Sequence, residues 1–163
     1  MTKIINEIKI SVVCPTYNSE EFITGTLETL IFQKDKPFEV IIVDDGSTDN
    51  TLQLLESYRK NFTEINVKYF IFKNKHKGPG HARNTGIVNA NGNWISFLDS
   101  DDTWSDMKLF KVKEKILSNP EVNFILHWEM LLGKDYSKVL KHGENFKKEE
   151  NLGRQLFKNN FIS

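Results

Sequence analysis

The sequence predicts an α/β domain, a mostly parallel sheet with helices on both faces, and three observations carry the prediction. Short runs of apolar, largely β-branched residues alternate with longer stretches whose apolar residues recur at helical spacing. The short runs are apolar at successive positions, as in strands covered on both faces, and lack the strict alternation of half-solvated ones. Pro, Gly, Asn and Asp punctuate the boundaries. A sheet of this kind binds ligands beyond the carboxyl ends of its strands, where the strand order reverses.

The first strand is expected over Ile8–Val13, stopped by Pro15, with Pro15-Thr16-Tyr17-Asn18 at its exit. A helix should follow, capped by Asn18 with Glu21 as the capping-box partner, and Phe22, Ile23, Leu27, Leu30 and Ile31 form its apolar face. Asp35 and Pro37 end it. Phe38–Val43 is a second strand running into Asp44-Asp45-Gly46-Ser47, and Leu52, Leu55 and Tyr58 mark the helix after it. Val67–Phe72 is a third strand, and the basic loop Lys73–Gly80 leads into a helix from about His81 to Ala90. Trp94, Ile95, Phe97 and Leu98 make a fourth strand, a helix covers Trp104–Asn119 up to Pro120, and Val122–Trp128 reads as a fifth strand. From Leu131 the chain is charged and weakly periodic, and its last apolar residues, Leu156, Phe157, Phe161 and Ile162, are expected to contact a further surface.

With 163 residues the chain has the size of one domain. Its 22 basic and 22 acidic side chains cancel, so no global field favours nucleic acid or an anionic membrane. Cys14, the single cysteine, cannot form an internal disulfide and lies in an apolar run, which reads as a buried, inert thiol in a reducing compartment. Met1–Glu7 lacks a secretory pattern and no apolar run reaches membrane-spanning length. The expectation is a soluble cytoplasmic protein, which could work at the inner membrane face.

The fourth strand ends in Asp99-Ser100-Asp101-Asp102. Carboxylates crowded at a strand end repel one another, so Asp99 and Asp101 read as a ligand pair for a hard divalent cation. The alternative is that Ser100, Asp101 and Asp102 cap the next helix. A cation with few protein ligands is commonly completed by phosphate oxygens, which suggests a nucleotide diphosphate. Lys73, Lys75, His76, Lys77 and Arg83 flank Gly78-Pro79-Gly80. The lysines also suit a solvated loop, whereas Arg83 sits on a small-residue helix start and can hold a phosphate or orient a carboxylate. Tyr17 can stack on a base, and Asp45 can accept the imide N–H of uracil, a donor that cytosine lacks. Asp44 and Asp45 equally suit helix capping, and His81 and His127 are assigned no role.

Four stretches together resemble the inverting family 2 glycosyltransferases of the GT-A (Rossmann-like) fold: Val12–Asn18, Val40–Asp49, Gly78–Gly86 and Phe97–Asp102. They stand in the family's order and spacing over roughly Ile8 to Trp128. The resemblance implies that Pro15, Thr16, Tyr17 and Asp45 line the nucleoside pocket and that Arg83 steadies it. It implies that Asp99 approaches the ribose or the metal and that Asp101 binds Mn²⁺ or Mg²⁺ bridging the diphosphate. The implied donor is a nucleotide sugar, by the Asp45 argument a UDP-sugar, and the implied acceptor is a saccharide or lipid-linked hydroxyl. Residues 8–128 would form the nucleotide-binding core of a single domain and 129–163 the start of its acceptor side. The family's general base is expected beyond Ser163, since neither Glu129 nor Asp135 matches its motif, and the chain alone is expected to transfer poorly.

Two other classes fit less. A receiver-like signalling module would explain Asp44 and Asp45 but needs a lysine on a late strand, and Val122–Trp128 has none. A sugar nucleotidylyltransferase would carry a glycine-rich phosphate loop where this chain has Pro15-Thr16-Tyr17-Asn18.

Overall fold

The computed structural model of the chain describes residues 7–127, 129–132 and 137–140. Two compact units divide the chain, Met1–Ser118 and Asn119–Ser163. In the first, β1 (Ile10–Thr16), β2 (Glu39–Asp44), β3 (Lys68–Lys73) and β4 (Trp94–Phe97) form one parallel sheet in the order β3-β2-β1-β4. The connecting helices are α1 (Ile23–Ile31), α2 (Thr51–Ser57), α3 (Arg59–Glu64), α4 (Pro79–Asn89) and α5 (Lys108–Ser118). The order steps outward from β1 to β3 and then returns to place β4 on the other side of β1, so the reversal falls between β1 and β4.

Helices cover both faces. Ile10, Val12, Cys14, Val40 and Ile42 pack on one side with Ile23, Leu27 and Leu30 of α1, Leu55 of α2, Phe62 of α3 and Leu109 of α5. Val13, Ile41 and Val43 pack on the other with Ala82 of α4. Each Val, Leu, Ile or Phe among them, fully buried, contributes about 1.5–3 kcal/mol before conformational entropy is subtracted. The backbone of α4 lies close against β1 at Gly86, where a Cβ would stand 2.3 Å from Val13 Cγ1. Burying α4 against the sheet therefore requires a residue with no side chain at that turn.

The sheet corrects several expected boundaries. Pro15 does not stop β1, which continues to Thr16. Odd-numbered residues of β1 face β4, as the bond from Leu98 N–H to Val13 O shows, and β4 ends at Phe97. The missing N–H of Pro15 thus falls beyond the last rung, where no ladder bond is lost. Asn18 and Glu21 do not cap α1, which begins at Ile23 with the Ser19 carbonyl accepting from Phe22 and Ile23 N–H. The helix after β2 breaks into two at Tyr58, and α4 starts two residues early, at Pro79. α5 starts at Lys108, not Trp104: the buried Gln33 accepts Leu109 N–H (3.0 Å) and donates to Ser105 O (2.7 Å), holding the segment before the helix against the end of α1.

The second unit contains an antiparallel pair, β5 (Glu129–Leu132) and β6 (Ser137–Leu140). The fifth strand expected over Val122–Trp128 is not formed over Val122–His127, and Trp128 lies outside the described residues. An apolar run makes a strand only where a ladder partner receives it, and Val122 N–H turns back to Asn119 O. Asp135, Leu156, Phe157, Phe161 and Ile162 lie outside the described residues. No helix among the described residues is long and apolar enough to cross a membrane.

The loops that leave β1, β2 and β4 are tied to each other. Asn18, at φ +45°, accepts Thr48 N–H on its side-chain oxygen (2.8 Å), while its own N–H donates to Ser47 Oγ (2.9 Å). Glu20 accepts Asn50 N–H (2.9 Å), and Glu20 N–H donates to Asp49 (3.2 Å). Ser19 N–H reaches Thr51 Oγ1 (2.8 Å), and Ser19 Oγ shares a 2.7 Å bond with Ser100 Oγ beyond β4. The Thr26 hydroxyl of α1 lies 2.9 Å from the carbonyls of both Ser100 and Asp102. Asn18→Ala should lower the unfolding free energy by about 1–2 kcal/mol, through the lost acceptor and the left-handed backbone. Asn18→Gly should recover the backbone share, and denaturant titration of both variants reads the difference; equal stability of all three proteins would contradict the assignment.

Candidate active site

Asp44 and Asp45, adjacent in sequence, do different work. The Asp44 carboxylate accepts the N–H and hydroxyl of Ser47 and closes the turn after β2. Asp45 turns the other way, to the loop before α4, where its Oδ2 accepts Lys77 N–H (3.0 Å) and Gly78 N–H (2.7 Å). Two features of the backbone allow this. Gly78 has φ +90° and Gly46 has φ +85°, both in the region that favours glycine, and a Cβ on Gly46 would crowd His76 N at 3.2 Å. Asp45 is consequently only 2% exposed, a carboxylate fixed by backbone amides with the outer lone pairs of Oδ1 less used.

Tyr17 stands beside it. Its ring, 44% exposed, stacks on His76 with centroids 4.1 Å apart and planes at 30°. His76 Nδ1 lies 3.2 Å from Asp45 O and 3.3 Å from Asp45 Oδ2. The structure therefore brings Tyr17 and Asp45 together, with His76 in contact with both. Pro15 and Thr16 lie in β1 just before Tyr17; both are buried, and Thr16 O accepts Asp45 N–H (2.8 Å), which sets the spacing of the two exits. Cys14 is enclosed in the core, and burial pushes its thiol up to about 12, so it is protonated and inert at neutral pH.

Arg83, on the second turn of α4, reaches across to the end of β4. Its Nη2 donates to both oxygens of Asp99, at 2.6 and 2.9 Å. Of the two roles open to Arg83, this geometry gives it the carboxylate: it orients Asp99 and neutralises part of the acidic edge. Asp101 is exposed, and no Lys, Arg or His pairs with it among the described residues. Lys73, Lys75 and Lys77 point to solvent, and it is the backbone N–H of Lys77 that serves the site. His81 accepts from Asn74 Nδ2 (3.0 Å), and Asn74 also donates to Thr85, so His81 fastens the loop to α4.

Mn²⁺ or Mg²⁺ fits this donor set in one specific way. Among the described residues no group of three or more His, Cys, Asp or Glu side chains converges on a point, so a cage made wholly by protein is not available there. One exposed carboxylate beside another held in place suits a cation that takes its remaining ligands from phosphate and water. The cavity of about 300 Å³ lined by Ile8, Asp35, Phe110, Lys113 and Leu117 lies at the other edge of the sheet, before β1, and is unrelated to these groups. Sequence reasoning missed Ser19 and Thr26, whose bonds to Ser100 span more than 70 positions, and gave Ser100 only a capping role and His76 only the role of a basic loop residue. No local pattern carries either signal.

The comparisons agree with this fold. The Staphylococcus aureus poly(ribitol-phosphate) beta-N-acetylglucosaminyltransferase TarS is 46% identical over 98 residues, 58% of this chain and 16% of that protein. An uncharacterized glycosyltransferase of Rickettsia conorii is 40% identical over 123 residues, 76% of this chain and 19% of its own length. The chain thus spans less than a fifth of either relative. The crystal structure of TarS 1–349 in complex with UDP-GlcNAc superposes with a TM-score of 0.62 at 36% identity, over 69% of this chain and 32% of that one. The mannosyltransferase PcManGT from Pyrobaculum calidifontis, in complex with GDP-Man and Mn²⁺, gives 0.60 at 26% identity, over 66% of this chain and 32% of that one. The mostly parallel sheet with its helices is the GT-A, Rossmann-like arrangement of these neighbours. The model of the family described as Glycosyl transferase family 2 matches residues 11–162, and with nearly the whole chain inside that match, the protein belongs to glycosyl transferase family 2.

Proposed function

We propose that this chain binds the donor of a metal-dependent, inverting glycosyltransferase that uses a UDP-sugar and acts in polysaccharide or glycoconjugate synthesis. One observation carries the reading: at the reversal of strand order, an exposed Asp101 beside an Arg83-held Asp99 faces the same edge as Tyr17 and Asp45. Support for the donor comes from TarS, solved with UDP-GlcNAc, and support for a divalent cation from PcManGT, solved with Mn²⁺.

In this reading Tyr17 takes the base on its ring and Asp45 accepts the base's imide N–H on Oδ1, while Lys77 and Gly78 N–H keep the carboxylate from turning away. Arg83 holds Asp99 toward the ribose or the cation, and Asp101 supplies the principal metal ligand. When bound, Mn²⁺ or Mg²⁺ offsets the negative charge that develops on the departing diphosphate. The acceptor oxygen forms its bond to the anomeric carbon on the face opposite the breaking bond to diphosphate, which inverts that centre; the electron pair leaves on the nucleoside diphosphate and the hydroxyl proton passes to a general base that is assigned to none of the described residues.

Asp101→Asn should lower Mn²⁺-dependent UDP affinity at least about tenfold, roughly 1.4 kcal/mol, in a calorimetric titration, with metal-free binding little changed. Unchanged affinity in the presence of Mn²⁺ would remove Asp101 from the metal. Asp45→Asn makes a sharper test of base choice. The amide oxygen of the variant can still receive Lys77 and Gly78 N–H, which turns its NH₂ toward the base and favours the N3 acceptor of cytosine. The preference for UDP over CDP should therefore reverse, by about tenfold relative to the unmutated chain. Retention of the UDP preference would show that Asp45 does not read the base.

A further inference from the structure

Both residues assigned to the base are already in contact with one residue of the chain. The imidazole of His76 lies on the Tyr17 ring at 4.1 Å and 30°, and its Nδ1 points between two acceptors, Asp45 O at 3.2 Å and Asp45 Oδ2 at 3.3 Å. Since both neighbours are acceptors, Nδ1 carries a hydrogen. His76 thus presents a flat π-face to Tyr17 and donates an N–H to the main-chain carbonyl of Asp45, with the carboxylate Oδ2 close beside it. A uracil ring in the site would need the same face of Tyr17 and the space beside Asp45.

We infer that His76 is an internal occupant of the base pocket, which the donor must displace and which thereby sets donor affinity. This rests on the donor-site reading above and adds to it a residue that works against binding. The surroundings suit a side chain that leaves while its backbone stays. The His76 side chain is 59% exposed, and it lies in the irregular segment between β3 and α4. That segment is fastened independently of the imidazole, by Asn74 N–H on Asp44 O (2.8 Å) and by Lys77 and Gly78 N–H on Asp45. Rotation about the His76 side-chain bonds frees the face of Tyr17 with no break in these bonds. A site whose open form is only a fraction of the population binds its ligand more weakly by that fraction. A ring that must win the Tyr17 face from an imidazole also has to match its stacking, so the occupant raises the requirement on the base.

The experiment is calorimetric titration of UDP with Mn²⁺ into the full 163-residue chain and into His76→Ala, Tyr17→Ala and the double variant. His76→Ala should bind UDP about three- to tenfold more tightly, the scale of one aromatic stacking contact. That gain should vanish in the Tyr17→Ala background, which a general structural effect of the substitution would not produce. Weaker or unchanged UDP binding by His76→Ala overturns the inference, as does an equal gain in both backgrounds. Should His76→Ala fail to fold, the unmutated chain decides: the Tyr17 ring-current shift on the His76 imidazole protons should be lost on saturation with UDP, and its retention overturns the inference. If UDP binds the unmutated chain and these results fail, only the role of His76 falls. If UDP does not bind the unmutated chain or any variant, the donor reading falls with it.

Discussion

Beyond Thr16 the backbone of β1 leaves the sheet, and the N–H groups of Asn18, Ser19 and Glu20 are met by side chains from the loop that follows β2: Ser47, Thr51 and Asp49. The rest of the site depends on this. β1 is the inner strand between β2 and β4, so its exit lies between two others; Ser19 is buried there, while Asn18 and Glu20 find their partners at the surface. Bonds that satisfy those groups also fix the three exits relative to one another. Asn18 and Glu20 hold the turn after β2, Ser19 holds Ser100 after β4, and Thr26 holds the carbonyls of Ser100 and Asp102. Tyr17, Asp45 and Asp99 then have defined separations because their supports are shared.

The second constraint is charge. Three of the carboxylates along this edge are answered from within the fold: Asp44 by the Ser47 turn, Asp45 by the amides of Lys77 and Gly78, and Asp99 by Arg83. Asp101 is exposed, with no basic side chain paired to it among the described residues. In the proposed reading Asp101 is the carboxylate that meets a cation shared with phosphate oxygens, which has the matching chemistry. The pairing of Arg83 with Asp99 also gives α4 a part in the site, which the close contact of Gly86 with Val13 makes rigid.

Much of this was readable from local patterns. Apolar runs located the four strands of the sheet to within one or two residues at nearly every end, and the polar clusters at their carboxyl ends fell on one edge. What the sequence concealed was pairing over distance. The segment Asn18–Glu21 has the composition of a capping box, yet Asn18 takes a left-handed conformation and spends its side chain on Thr48. Glu39 sits at the start of an apolar run and is fully buried, its carboxylate met by Ser11 Oγ (2.7 Å) and Asn91 N–H (2.6 Å), partners far from it in the chain. Val122–His127 has strand composition and no ladder, because composition carries no information about a partner. His76 read as one more basic residue of a loop; its position between Tyr17 and Asp45 follows from the turns at Gly46 and Gly78.

The central claim is spatial: nucleotide and cation meet at the carboxyl edge between β2, β1 and β4. Paramagnetic broadening of backbone amide signals by substoichiometric Mn²⁺ in the presence of UDP tests it most directly, because the effect reports proximity to the ion itself. The account predicts broadening centred on Asp99–Asp102, extending to Tyr17, Asn18 and the first turn of α4, and absent when UDP is left out or replaced by uridine. Broadening centred elsewhere, such as on the Asp35–Lys113 ion pair at the opposite edge, or broadening at the Asp99–Asp102 turn that is indifferent to the nucleotide, would contradict it.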